Sequence, residues 1–183
     1  MLIRNAKEDV KYVMLTREQI ADRVRSLGKE LAERFKDEPP LMICVLRGAA
    51  FFFTDLCKEM DCLMDMDFIA ASSYFKGTKS TGVIRLDKDS SVDMEGRNVI
   101  LVEDIIDSGQ TLAHLVDLFK TRNPKSITTV TLLDKEVNKP ERFQVDYYGF
   151  RIRDEFVVGY GLDYADYYRN LPYIGVLKEE CYL

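Results

Sequence analysis

The first periodic segment of the chain carries its apolar residues at the spacing of one helix face. After a short N-terminal strand, Thr16 followed three residues later by Gln19 resembles a capping box, in which each side chain satisfies a backbone N–H of the other residue. The apolar positions that follow are Ile20, Val24, Leu27, Leu31 and Phe35. This pattern predicts a helix over residues 17–36.

Short, continuous apolar runs recur between helical patterns along the rest of the chain. Val, Ile and Leu dominate these runs, which is typical of strands buried on both faces. We predict such strands at residues 41–46, 98–106 and 127–133, with further strands at 66–74 and near 145–150, 156–160 and 173–177. A tight turn at Gly48 and then a helix through Lys58 are expected, and another helix begins near Leu112.

Strands that alternate with helices in this way predict an α/β fold, with a mostly parallel twisted sheet flanked by helices. The C-terminal strands are expected to form a small hood. Residues 75–82 are polar, rich in glycine and threonine, and poor in side chains that could anchor them to a core. That segment is therefore predicted to be a mobile loop.

Composition mainly excludes some classes of protein. The 183 residues are 46% hydrophobic and 31% charged, which fits a single globular domain over residues 1–183. The net charge of −5 argues against a nucleic-acid-binding protein, because such proteins usually carry a basic face. No apolar run is long enough to span a bilayer, and no signal-peptide pattern is visible. The four cysteines lack CxxC spacing. We expect a cytoplasmic protein with reduced thiols and no membrane association.

Two adjacent carboxylates mark the first candidate site. Glu103 and Asp104 lie near the carboxyl end of the predicted strand 98–106, where open α/β sheets usually bind their ligands. Buried neighbouring carboxylates are costly unless a hard cation or hydroxyl donors compensate them. An exposed acidic strand end is the alternative interpretation.

A short polar turn follows the acid pair. Residues 107–111 (DSGQT) open a helix, and the backbone N–H groups and helix dipole there favour a phosphate dianion. Gly109 lets the backbone approach a ligand, while Ser108 and Thr111 add hydroxyl donors. Without the acid pair, a simple helix N-cap would be the preferred interpretation of this turn. Together with the acid pair it is far more specific.

Two common nucleotide-binding classes are not supported. The chain has no Gly-x-x-x-x-Gly-Lys-Ser/Thr segment, which a P-loop protein requires, and the segment Gly77 to Ser80 matches it only superficially. A Rossmann dinucleotide site is also disfavoured, because no Gly-x-Gly-x-x-Gly follows the first strands.

The segment VEDIIDSGQTL at 102–112 resembles the ribose-phosphate binding signature of the type I phosphoribosyltransferases. Other segments resemble the hypoxanthine-guanine phosphoribosyltransferases, especially the compact bacterial ones: LRGA at 46–49, SSY at 72–74, LLDK at 132–135 and DEFVVGYGLDYADYYRNLPYIGVL at 154–177. The similarity covers essentially the whole chain. It implies the type I phosphoribosyltransferase fold and transfer of a 5-phosphoribosyl group from phosphoribosyl pyrophosphate to N9 of a 6-oxopurine, with Mg²⁺ as cofactor.

The resemblance also implies roles for the acidic residues and for the phosphate turn. Glu103 and Asp104 would hold the ribose hydroxyls and magnesium, Asp163 would bind a second magnesium, and Asp107 would accept the N7 proton of the purine. The 5′-phosphate would be held by Ser108, Gly109, Gln110 and Thr111.

Further roles follow for the basic and aromatic residues. Arg47, Gly48 and Arg169 would contact the pyrophosphate, and the resemblance implies a non-proline cis peptide bond at Leu46–Arg47. Lys135 would donate to O6 of the base, Phe156 would stack on the ring, and the backbone of Val157 would contact its edge. Ser73 and Tyr74 fall where the family has its closing loop. The only histidine, His114, matches no catalytic position and is expected on a helix surface.

Several functional alternatives stay open at this point. Some proteins of this architecture are regulators that only sense phosphoribosyl pyrophosphate, although the acidic net charge and the presence of Asp107, Lys135 and Arg169 disfavour that role. A pyrimidine or orotate transferase is disfavoured by Lys135 and Phe156, whereas a preference for xanthine is not excluded. The resemblance implies a homodimer or a homotetramer.

Overall fold

The computed structural model describes residues 5–76, 79–136 and 143–182, and for residues 72–76 and 79–84 it describes the backbone alone. The strands are β1 Val10–Leu15, β2 Leu41–Leu46, β3 Asp65–Lys76, β4 Lys79–Lys88, β5 Asn98–Ile106, β6 Ser126–Lys135, β7 Tyr147–Ile152, β8 Val157–Val158 and β9 Ile174–Leu177. The α-helices are α1 Arg17–Phe35, α2 Ala50–Glu59 and α3 Gln110–Lys120, and a short 3-10 helix spans Glu179–Cys181.

The central sheet has six strands in the order β4-β3-β2-β5-β6-β7. The five strands other than β4 run parallel to one another, whereas β4 pairs antiparallel with β3. The predicted α/β fold with a mostly parallel sheet flanked by helices is confirmed. In such a sheet the carboxyl ends of β2, β5 and β6 meet at one edge, which is where ligands bind in open α/β folds.

Helices cover both faces of the sheet because its central strands are apolar on both faces. Along β2, Met42 and Cys44 pack into the core shared with α1 and α2, whereas Ile43 and Val45 pack into the core shared with α3. Successive strand residues point to opposite faces, so this alternation follows from the strand geometry. The continuous apolar run of β2 therefore serves two cores at once.

The first helix begins as the sequence predicts. Thr16 Oγ1 accepts a hydrogen bond from Gln19 N (3.3 Å), and Gln19 Oε1 accepts one from Thr16 N (2.8 Å), which completes a capping box. The buried face of α1 carries the five predicted apolar residues. Arg23, on another face, donates to the carbonyl oxygens of Tyr148 and Gly149, and so ties α1 to β7.

A second, three-stranded antiparallel sheet forms the predicted hood. Its strand order is β1-β9-β8, so the N-terminal strand joins the C-terminal ones. Both β1 and the C-terminal strands are predicted from the sequence, but their pairing is not. Within the described residues, no helix is long and apolar enough to cross a membrane.

The predicted loop over residues 75–82 is wrong for the residues that the structure describes. Strand β3 continues through Lys76 and β4 begins at Lys79, with Phe75 paired to Ser80 and Lys76 to Lys79. Antiparallel pairing satisfies backbone N–H and C=O groups without any need for a buried apolar face. A polar segment can therefore form strands that its side-chain pattern does not reveal.

Candidate active site

The acid pair lies near the end of β5 and is approached closely by the turn after β2. Gly48 backs directly onto Asp104, and a side chain at position 48 would overlap the Asp104 carboxylate. The absence of a Cβ at Gly48 is therefore what allows this close approach. Two segments that the sequence analysis assigned to one site, residues 46–49 and 102–112, are thus brought together.

Both carboxyl groups of the pair are electrostatically perturbed. Burial, reinforced by the neighbouring Asp104, raises the pKa of Glu103 well above its usual range. Burial also raises the pKa of Asp104, although a hydrogen bond from Ile105 N and the charge of Arg169 oppose that rise. Among the described residues, Glu103 Oε2 is buried with no hydrogen-bond partner. An incoming cation or hydroxyl donor would relieve all three features.

The polar turn after the acid pair shares a pocket with it. A pocket of about 260 Å³ is lined by Glu103 and by the residues from Ile105 to Leu112, together with Val45, Leu46 and Ala71. Gly109 precedes α3 with φ of 76°, a conformation that favours glycine, and a Cβ there would lie 2.6 Å from Phe143 Cβ. Ala113 N donates to Gly109 O (2.9 Å), so the N–H groups of residues 110–112 have no acceptor within the helix.

Each of the two arginines assigned to the pyrophosphate is paired with a carboxylate. The Leu46–Arg47 peptide bond is cis, as predicted. Arg47 Nη2 donates to Asp166 Oδ1 (2.6 Å), and Arg169 Nη2 lies 2.7 Å from Asp163 Oδ1. Arg169 Nη1 also donates to the carbonyl oxygen of Gly161 (2.7 Å). Asp163 is therefore ion-paired with Arg169, and Asp166 holds Arg47.

The residues assigned to the base lie at the end of β6 and in the hood. The Lys135 side chain is only 14% exposed, and its Nζ lies 3.1 Å from Asp154 Oδ1. Phe156 is 37% exposed and stacks on Tyr182, with ring centroids 4.7 Å apart and an interplanar angle of 19°. Val157 pairs with Val176 of β9. The two residues thus offer a partly exposed aromatic ring and a nearly buried ammonium group.

Most of the chain matches one protein family. A family model described as the phosphoribosyl transferase domain matches residues 13–165. The chain belongs to the phosphoribosyl transferase family. This finding confirms the family resemblance that the sequence motifs predict.

Relatives of this phosphoribosyl transferase carry closely related names. The hypoxanthine-guanine phosphoribosyltransferase of Bacillus subtilis is 49% identical over 176 residues, which cover 96% of this chain and 98% of that protein. A crystal structure of a hypoxanthine phosphoribosyltransferase from Staphylococcus aureus matches with a TM-score of 0.94 and 40% identity, and covers 100% of both chains. The bifunctional protein TilS/HprT of Listeria monocytogenes is 49% identical over 174 residues, or 95% of this chain, but this chain spans only 27% of that protein.

For the remaining predicted site residues the structure gives only the exposure or the position in the chain. In the turn before α3 and at its start, Asp107 and Gln110 are exposed, whereas Ser108 and Thr111 are half-buried. Ser73 and Tyr74 belong to β3, but their side chains lie outside the described residues. His114 is exposed on α3, as predicted.

Three residues that the sequence did not single out contact predicted site residues. Asp154, Asp166 and Tyr182 contact Lys135, Arg47 and Phe156 respectively. Asp154 and Asp166 fall inside the 154–177 segment that carries the family resemblance, which was the available signal. Nothing in the sequence marks Tyr182.

A second, more voluminous pocket lies elsewhere in the chain. It has a volume of about 500 Å³ and lies between α1 and α2, next to Tyr160 and Phe51. None of the predicted site residues lines it. We assign the chemistry to the smaller pocket because that pocket contains the perturbed carboxylate Glu103 and the helix N-terminus.

Proposed function

We propose that this enzyme transfers the 5-phosphoribosyl group of phosphoribosyl pyrophosphate to N9 of a 6-oxopurine, hypoxanthine and also guanine, giving IMP or GMP and pyrophosphate in purine salvage. The observation that carries the proposal is the single pocket in which Glu103 lies beside the N-terminal turn of α3. Such a pocket offers carboxylates to a sugar and amides to its phosphate. The names of the full-length relatives support the same substrates.

Mg²⁺ fits the carboxylates of this site. Glu103 Oε2 is buried without a hydrogen-bond partner among the described residues, and the pKa values of both acids are raised. Both features indicate a site that a bound cation would stabilise. We propose that Glu103 and Asp104 hold one magnesium with the ribose hydroxyls and that Asp163 holds a second. When bound, Mg²⁺ supplies charge that neutralises the departing pyrophosphate. Within the described residues, no group of three or more metal-binding side chains occurs, so substrate oxygens would complete each coordination shell.

The reaction breaks the bond between ribose C1 and the pyrophosphate oxygen while N9 of the base forms a bond to C1. Positive charge builds on the sugar, as in other oxocarbenium-like transfers. Arg47 and Arg169 stabilise the leaving group, and the backbone N–H groups of residues 108–111 hold the 5′-phosphate. Asp107 accepts the proton from N7 of the purine. Fixed positions for both substrates then contribute much of the rate.

Selectivity for 6-oxopurines follows from a donor at position 6. Lys135 is nearly buried and carries only donors, so it matches the O6 acceptor of hypoxanthine or guanine. Adenine carries a donor at that position, which would leave buried groups unpaired and make it a poor substrate. Phe156 stacks on the ring, and the Val157 backbone contacts its edge.

The β3–β4 hairpin is proposed to close over the bound substrates. Ser73 and Tyr74 belong to it, and Ala71 of the same strand lines the pocket. Closure would exclude water that otherwise hydrolyses the activated sugar. We further propose that residues 1–183 act as one domain, in a cytoplasmic homodimer or homotetramer.

An acceptor panel tests the function directly. The protein is incubated with phosphoribosyl pyrophosphate, Mg²⁺ and one base at a time: hypoxanthine, guanine, xanthine, adenine, uracil or orotate. We expect nucleotide formation with hypoxanthine and guanine and little with adenine. Transfer to orotate or uracil alone would contradict the proposal, and a dominant xanthine activity would revise its specificity.

A regulator that only senses phosphoribosyl pyrophosphate is the second candidate, and no observation favours it. A gel-shift assay with nucleic acid beside the transfer assay separates the two. Binding of nucleic acid without any transfer would support the regulator.

A further inference from the structure

The carboxylate of Asp166 lies close to both arginines that are assigned to the pyrophosphate. Its Oδ1 accepts a hydrogen bond from Arg47 Nη2 at 2.6 Å and lies 3.7 Å from Arg169 Nη2. No role for Asp166 follows from the reaction described above. Its contacts are those that an anionic oxygen of the substrate would make, because guanidinium groups bind carboxylate and phosphate oxygens with similar geometry.

Asp166 lies in a tight backbone turn. Tyr164 and Tyr167 exchange backbone hydrogen bonds of 3.3 and 3.0 Å around a two-residue turn. Both turn residues, Ala165 and Asp166, have positive φ values of 51° and 68°. That geometry is a mirror-image turn in which Asp and Asn are tolerated far better than most other residues. Asp166 N also donates to Asp163 Oδ2 (2.9 Å), which ties the turn to a proposed metal ligand.

The two arginines are held differently. Arg169 is 22% exposed and fixed by Gly161 O and Asp163. The Arg47 and Asp166 side chains are 68% and 66% exposed, so their ion pair is weak and exchanges readily in solvent. An incoming polyanion therefore meets one fixed cation and one whose present partner is easily replaced.

We propose that Asp166 is an internal stand-in for pyrophosphate, which holds Arg47 toward Arg169 in the free enzyme and gives Arg47 up when the pyrophosphate group binds. Asp166 then sets the affinity for phosphoribosyl pyrophosphate and for the pyrophosphate product, because each must compete with it. The inference rests on the proposed function in one respect, the assignment of Arg47 and Arg169 to the pyrophosphate.

The test is Asp166→Asn, which removes the charge with a residue that the turn also tolerates. Calorimetric titration with pyrophosphate in the presence of Mg²⁺ should show binding that is tighter by about two- to fivefold, the range expected for an exposed ion pair. The KM for phosphoribosyl pyrophosphate should fall in parallel, whereas the KM for hypoxanthine should not change.

Asp61→Asn is the matched control. It removes the same charge from an exposed residue just before β3, at the opposite edge of the sheet from the site. Weaker pyrophosphate binding in Asp166→Asn, the same affinity as in Asp61→Asn, or no binding by any form overturns the inference. Failure of the proposed function is distinguishable, since it would abolish nucleotide formation by the wild type without deciding the pyrophosphate titration.

Discussion

At the scale of single residues, the site combines carboxylates of different character. Glu103 and Asp104 are half-buried and have raised pKa values, which suits groups that await a cation. Asp107, three residues beyond Asp104, is exposed at the mouth of the pocket. An accessible carboxylate can exchange a proton with a bound base, whereas the half-buried pair is suited to binding a cation.

Asp107→Asn tests the proton-acceptor role. The amide keeps the shape of the side chain but cannot accept a proton, so turnover should fall by about 10²- to 10³-fold while substrate affinity stays largely intact. Steady-state measurement of kcat and of both KM values checks this. Unchanged turnover would refute the role.

The stack between Phe156 and Tyr182 leads to a second residue-scale prediction. Tyr182 and the edge of Tyr164 hold the Phe156 ring in place, and aromatic pairs of this kind contribute about 0.5–1.5 kcal/mol. Tyr182→Ala should therefore raise the KM for hypoxanthine severalfold and leave the KM for phosphoribosyl pyrophosphate unchanged. Tyr182→Phe retains the stack and should behave like the wild type. A lower KM in Tyr182→Ala would show that Tyr182 instead blocks the base.

At the scale of elements, the base of the β3–β4 hairpin depends on one buried acid. Burial opposes ionisation of Asp67, but hydrogen bonds from Phe68 N (2.7 Å), Ser90 Oγ (2.8 Å) and Ser91 N (2.6 Å) outweigh it and hold the Asp67 pKa well below its usual range. A carboxylate so held ties β3 to the segment that follows β4. The hairpin is thereby anchored at the end away from its tip.

Asp67→Asn tests this anchor through pH. Because the folded-state pKa is depressed, the stabilisation is fully present above about pH 4, the ordinary range of an aspartate, and is lost as pH falls below it. The variant should be less stable than the wild type by about 2–3 kcal/mol at neutral pH, and the difference should shrink in acid. Urea unfolding from pH 3 to pH 7 measures it.

The control for this experiment is Asp117→Asn, at an exposed carboxylate on α3. Its effect on the free energy of unfolding should be small at every pH. A constant difference between Asp67→Asn and the wild type across the pH range would contradict the anchoring role.

Elements with a strong apolar pattern were predictable from the sequence. The strand over residues 98–106 has the predicted bounds, and α1 ends within one residue of its prediction, because burial on both faces or on one helix face dictates the side chains. Most of β3 was predicted, but its pairing with β4 was not, since the polar side chains of residues 75–82 carry no strand pattern. The contacts of Asp166 and Tyr182 escaped for another reason: each joins residues that are far apart in sequence.

At the scale of the whole molecule, the parallel sheet places the proposed site residues of neighbouring strands at one edge. Arg47 follows β2, the acid pair lies on β5 and Lys135 ends β6, so three neighbouring strands deliver their residues to one edge of the sheet. The hood supplies Phe156, and the segment between its last two strands supplies Asp163 and Arg169. The motifs predicted that residues 46–49 and 102–112 share one site, and the contact of Gly48 with Asp104 agrees, whereas the pairing of β1 with β9 needed the structure.

The most direct measurement is calorimetric titration of phosphoribosyl pyrophosphate into the wild type and into Glu103→Gln/Asp104→Asn, each with Mg²⁺ and with a chelator. The account predicts that the wild type binds tightly only with Mg²⁺, and that the double variant loses most of this metal-dependent affinity while its circular dichroism stays native. Equal binding with and without the metal, or by both proteins, would contradict the claim that this acid pair captures the metal-bound sugar phosphate.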